Sequence, residues 1–170
     1  MHTQLSFTQP APIYNRLRQA ILSLDPAELG LSQSTSTGPV WGFMMETGYS
    51  VGTTTLVVLR DGTTSLYFSN GGGFIGCGRH PGVQQASQDL IEAAEKAIPR
   101  MKKVDSCVLP APNRVHFHAL TQTGLFSLDC STAELSSSGH ACAELYQSSQ
   151  GVITQIRLLD EARRKNSQDV

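Results

Sequence analysis

The chain has 170 residues, a net charge of −1 and a pI near 6.5, so it carries no general basic field that would recruit nucleic acid or anionic lipid. Its length suits one domain, and that domain can bury a core without a metal or a disulfide framework. Charged residues make up only 16%, against about 25% in an ordinary domain; the polar surface falls to Ser, Thr and Gln, which repel a second copy weakly.

In chain order, Met1 to Phe7 have neither a basic start nor an apolar run, so no signal peptide is expected. With no apolar run long enough to span a bilayer, a cytoplasmic protein is expected. Ile13, Leu17, Ala20, Ile21 and Leu24 recur at spacings of three and four and predict a short helix ended by Asp25-Pro26. Residues 25–39 are rich in Ser, Thr and Gly and read as a linker, which makes residues 1–24 a candidate arm. Three strands follow, at about Val40–Thr47, Thr53–Arg60 and Thr64–Ser69, with Trp41, Phe43 and Met45 assigned to one face of the first. Asp61-Gly62 between the last two is a hairpin signal, read as a turn in which both residues take positive φ.

The segment Asn70–Pro81 holds five glycines in the eight positions 71–78. A helix is predicted over 82–103 with Val83, Ala86, Leu90, Ala94, Ala97 and Met101 inward, ended or kinked at Pro99. Cys107–Leu109 reads as a short strand, Val115–Leu120 as a two-faced strand and Leu125–Cys130 as its partner. A Ser-rich loop at 136–138 leads to a last helix over 140–163, with a charged tail over 160–170. The basic clusters Arg100/Lys102/Lys103 and Arg163/Arg164/Lys165 are read as helix C-termini. The whole predicts one α+β domain with an antiparallel sheet of five or six strands, in the order α-β-β-β-α-β-β(-β)-α. This order is similar to that of the roadblock and profilin-like domains and of the small chaperones of bacterial secretion systems; the similarity lies in element order and carries no site residue with it.

Four chemistries are testable on these residues. Gly71, Gly73 and Gly76 satisfy Gly-x-Gly-x-x-Gly, but the meander before them offers no parallel βαβ unit, as dinucleotide binding requires. Gly71, Gly72 and Gly73 with Arg79 and His80 form a candidate anion cradle at a helix start; the competing reading is a sheet corner plugged by Phe74 and Ile75. His116 and His118 share a strand face and are the pair that metal spacing nominates, with His80, His140, Cys130 or Cys142 as possible third ligands, on a strand surface otherwise expected to face solvent. Cys77, beside Arg79 and a helix start, is a candidate nucleophile, and Cys77, Cys107, Cys130 and Cys142 are expected as free thiols. Glu46 and Asp61 are the only acids of the meander and make no acid–base pair. No catalytic residue, cofactor or metal is expected. The expected function is a non-catalytic protein–protein interaction module, an adaptor, dedicated chaperone or immunity-type inhibitor acting as a homodimer; the alternative is a small-molecule or anion-binding domain, or an enzyme, built on the glycine-rich loop 70–81.

Overall fold

A computed structural model describes residues 9–31, 39–136 and 139–168. Most of the N-terminal stretch (1–8), the middle of the Ser/Thr/Gly linker (32–38), part of the Ser-rich loop (137–138) and the end of the tail (169–170) lie outside the described residues. Within them are α1 (Pro12–Leu22), β1 (Val40–Tyr49), β2 (Gly52–Leu59), β3 (Thr64–Phe68), β4 (Gly73–Phe74), α2 (Pro81–Ala97), β5 (Lys102–Val104), β6 (Arg114–Thr121), β7 (Gly124–Ser131) and α3 (Ala141–Gln168). The strands form one seven-stranded sheet in the order β4-β3-β2-β1-β6-β7-β5, and every neighbouring pair is antiparallel. The α+β class and the antiparallel sheet are as expected; the sheet holds seven strands rather than five or six. No helix of the described residues is long and apolar enough to cross a membrane.

Alternation of side chains divides the sheet into two covered faces. Phe43, Met45, Leu56, Val58, Val115, Phe117 and Ala119 point to one face, where Val83, Leu90 and Ala94 of α2 and Leu145, Val152 and Ile156 of α3 close the main core. Met44, Val57, Leu59, Tyr67 and Leu120 point to the other face, beneath Tyr14 and Ile21 of α1. α1 therefore packs on the sheet of its own chain. Its buried side is rotated from the expected one: Tyr14 and Ile21 are buried, whereas Ile13 and Ala20 are exposed.

Several local expectations are corrected by backbone detail. A β-bulge between Val40 and Gly42 shifts the register against β6, so Trp41 joins Met44 on the α1 face instead of following Phe43 and Met45. The Asp61-Gly62 hairpin forms, but only Gly62 takes positive φ (95°); the turn closes through Leu59 N–H to Thr63 O at 2.8 Å. α2 stops at Ala97 and a 3-10 turn over Ile98–Arg100 carries Pro99, after which the chain becomes edge strand β5; Cys107–Leu109 is loop, not strand. Arg100 thus follows a helix end while Lys102 and Lys103 lie on β5. The expected fraying tail remains helical to Gln168, since nothing from Asp160 to Gln168 breaks an α-helix and Asp160 pairs with Arg164 four residues on. Cys130, near the end of β7, and Cys142, in the first turn of α3, are joined as a disulfide, with Cα atoms 6.3 Å apart and within the range such bonds span. The four-thiol expectation is corrected accordingly: Cys77 and Cys107 are free.

Candidate functional site

The α1 face carries a polar network that periodicity does not announce. Glu46 on β1 lies opposite Thr55 on β2 and His116 on β6, and His118 lies two residues further along β6. The period of two sends all four side chains toward α1. From above, Tyr14 and Arg18, one turn apart on α1, reach down to them. Arg18 donates from Nε to Glu46 Oε1 (2.7 Å) and from Nη2 to Oε2 (2.8 Å), a two-pronged clamp on a carboxylate with no solvent exposure. Thr55 donates its hydroxyl to Oε1 at 3.1 Å and shares a 2.7 Å hydrogen bond with the Tyr14 hydroxyl.

The third wall is the connection between β5 and β6. Arg18 Nη2 also donates to the Cys107 carbonyl (3.2 Å) and lies 3.4 Å from Cys107 Sγ. His116 Nδ1 lies 3.2 Å from the Val108 carbonyl, and Asn113 donates its N–H to Gly48 O at 3.0 Å. The connection comes so close to β1 that a Cβ on Gly48 would collide with the Ala111 carbonyl. One guanidinium thereby fastens a helix, a central strand and a loop to each other.

Burial and pairing compete in setting the charges. Burial alone would raise the Glu46 carboxyl, but the Arg18 hydrogen bonds and the contact with His118 outweigh it and hold it down to about 2. Burial likewise opposes the Arg18 charge, and Glu46 overcomes it. Burial pushes the Tyr14 hydroxyl up to about 12, against its bond to Thr55. Burial raises the Cys107 thiol despite Arg18, and lowers His116 despite Asp129 at 3.4 Å.

His118 is the residue least like its expectation. It faces the same side as His116, with ring centroids 5.9 Å apart, but it is buried at 1% exposure rather than solvent-facing, because α1 and the β5–β6 connection cover this part of the sheet. Its Nδ1 lies 2.7 Å from Ser127 Oγ on β7, and its Nε2 lies 3.3 Å from Glu46 Oε2. One ligand-type atom from each of Glu46, Cys107 and His118 lies within 4.8 Å of the other two. This is not the layout of a Cys-His-acid nucleophile, which places the acid on one ring nitrogen and the thiol on the other; here Glu46 lies at Nε2, and Nδ1 is held by Ser127 rather than by Cys107. The third ligands expected for the histidine pair are elsewhere: Cys130 and Cys142 are bonded to each other, His140 accepts from the Cys142 N–H in the first turn of α3, and His80 precedes α2.

The glycine-rich loop separates into two structures. Gly71 and Gly72 lie in the β3–β4 turn and Gly73 opens β4, with Gly71 at φ 96° beside Ala11 and Ile13. Gly76, Gly78 and Arg79 lie at the other end of β4, where Gly78 fits against the Gly62 carbonyl with no room for a Cβ. A depression of about 460 Å³ there is lined by Arg79, Gly76, Gly78 and Gln84, and also by Asp61; Gly71, Gly72 and Gly73 are not part of it. The five residues proposed as one cradle are thus not brought together. Of the two expected plugs, Phe74 packs on Phe68 at 6.1 Å, whereas Ile75 is 66% exposed. Cys77 is buried in the main core, and burial raises its thiol, the reverse of what a nucleophile requires.

Another concavity, of about 300 Å³, runs between α3 and strands β1 to β4. Tyr49, Leu66, Phe68, Phe74, Ile153 and Ile156 line it, with Arg157 and Asp160 on the helix side. Set against known protein families, curated proteins and solved structures, the chain matches none of them.

Proposed function

We propose that the chain is a non-catalytic protein–protein interaction module, in the role of an adaptor, a dedicated chaperone or an immunity-type inhibitor, and that it forms a homodimer. The observation that carries this reading is the groove along α3. Three aromatic rings and two isoleucines line one open concavity, and aromatic side chains in such settings are the usual anchors of protein interfaces. A second copy suits it because Arg157 and Asp160 sit on the same wall: across a two-fold axis, each Arg157 can meet the Asp160 of the other copy. The small charged fraction lowers the cost of bringing two such surfaces together. Nucleic acid and membrane are left out of the proposal on the net charge of −1. A cytoplasmic location is part of the reading, and thiol counting on protein taken directly from cells bears on it, because a Cys130–Cys142 bond belongs more often to oxidising compartments.

Light scattering on the full chain tests the homodimer. At tens of micromolar the expected mass is twice 18.3 kDa, and Phe74→Asp, which places a charge in the groove without touching the buried network, should return it to the monomer. A wild-type mass near 18.3 kDa overturns the homodimer.

A further inference from the structure

We propose that Glu46, Cys107 and His118 form a zinc site, tying the β5–β6 connection to strands β1 and β6. The convergence of a carboxylate, a thiol and an imidazole within 4.8 Å is the first observation. The second is independent of it. His118 is 1% exposed, and its Nε2 is a fully buried nitrogen with no hydrogen-bond partner. A buried polar atom without a partner is costly. This one points at Glu46 Oε2 from 3.3 Å, yet not in hydrogen-bond geometry.

Lone-pair counting at Glu46 gives the same result. A carboxylate offers about four acceptor sites, two on each oxygen. Arg18 Nε and the Thr55 hydroxyl take both on Oε1, while Arg18 Nη2 takes one on Oε2. One lone pair of Oε2 remains, on the oxygen that faces His118. In the tautomer that donates Nδ1–H to Ser127 Oγ, Nε2 also presents a lone pair, and the two acceptors that then face each other call for a cation between them. The Ser127 contact is the outer-shell bond that orients metal-bound histidines. The His118–Glu46 separation of 3.3 Å is the edge of a tetrahedron whose bonds are about 2.0–2.1 Å. Cys107 lies on a loop, its thiol within 4.8 Å of the other two ligand atoms, and a thiolate with imidazole and carboxylate is a donor set suited to zinc. Binding exchanges the thiol proton, released to solvent, for the Cys107 Sγ–zinc bond. With one thiolate and one carboxylate the ion is neutralised, Arg18 keeps its hydrogen bonds to Glu46 with Nη2 lying beside both Oε2 and Cys107 Sγ, and three protein ligands leave a fourth position for water.

Metal analysis on the full chain, followed by stripping with a chelator and titration with zinc, tests this. The expected result is about one equivalent of zinc, with a rise in the thermal midpoint on reloading. Cobalt in place of zinc should give a thiolate-to-metal charge-transfer band that Cys107→Ser abolishes, and Cys107→Ser should weaken zinc binding about tenfold or more. Cys107 is on a half-exposed loop, so this variant keeps the test open even where His118→Gln fails to fold. Absence of zinc uptake by the wild-type chain overturns the proposal and leaves a proton as the only bridge between His118 and Glu46. Zinc retained undiminished by Cys107→Ser, or cobalt bound without the thiolate band, overturns it equally, by placing the ion elsewhere.

Discussion

The face of the sheet under α2 and α3 is held almost wholly by apolar contacts such as Phe43 on Phe117, whose rings lie 6.2 Å apart, while the face under α1 mixes Met44, Val57 and Leu120 with a fully buried carboxylate, a guanidinium and an imidazole. The first arrangement tolerates any shape that fills the volume, since apolar attraction has little direction. The second is directional. Tyr14, Arg18, Glu46 and Thr55 are each satisfied by a particular atom of another element, so the network secures α1 and the β5–β6 connection in one register and penalises any change to a single partner. Buried ion pairs add little net stability compared with apolar residues, but losing one partner leaves a charge stranded.

The largest expected effect is at that charge. Glu46→Ala should destabilise the fold by about 3–5 kcal/mol, because Arg18 is left buried without its anion. Arg18→Met combined with Glu46→Leu should recover most of the loss. Chemical denaturation of Arg18→Met, Glu46→Leu and the double variant measures this, and simple additivity would mean that the two faces are held alike. The next effect depends on pH. The folded Glu46 carboxyl titrates at about 2 against an ordinary value of 4.5, so the unfolded chain binds more protons than the folded one between these values. The stability this group contributes is full above about pH 4.5 and is lost as pH falls toward 2, a change of about 3 kcal/mol. Glu46→Gln should flatten the acid limb of a stability–pH curve, and an unchanged limb would show the proton going elsewhere. The smallest effect concerns which side of α1 is inward. Ile13→Ser should change stability by less than about 0.5 kcal/mol, as exposed positions do, whereas Ile21→Ser, in the cluster with Tyr14 and Trp41, should cost several times more. Equal costs would return α1 to the orientation that aliphatic spacing alone suggests.

That last contrast explains how much of the molecule could be read before folding. The strands, the hairpin at Asp61-Gly62 and the helix after Pro81 were legible because alternation and turn chemistry are local. The apolar face was legible for the same reason, since Val83, Leu90 and Ala94 announce their own burial. β4 was not, because two residues paired with Leu66 and Tyr67 have no period of their own. Nor was the bulge at Trp41, which depends on the register of β6. The network was the least legible part: Arg18, Tyr14 and Cys107 are ordinary polar residues until α1 and a loop are laid over β1. A faint signal did exist. Glu46 is a lone acid in a strand buried on both sides, two residues from Met44, and Tyr14 and Arg18 share a helix side across one turn. His116 and His118 were found by spacing, but their unequal burial depends on what covers the sheet.

The strand order has a consequence for assembly. The sheet ends on β4, two residues long, and on β5, three residues long with Lys102 and Lys103 exposed. Past the end of β4, the Cys77–Arg79 turn follows the rest of β3, with Gly76 N–H donated to Ser65 Oγ at 3.3 Å and Gly78 against the Gly62 carbonyl. Short and lysine-bearing borders are poor templates for another chain to continue the ladder. Among the described residues the borders therefore give copies of this protein little means of adding strand to strand into an open-ended ribbon, and leave helices and side chains as the surfaces through which two copies could meet in a contact that closes on itself.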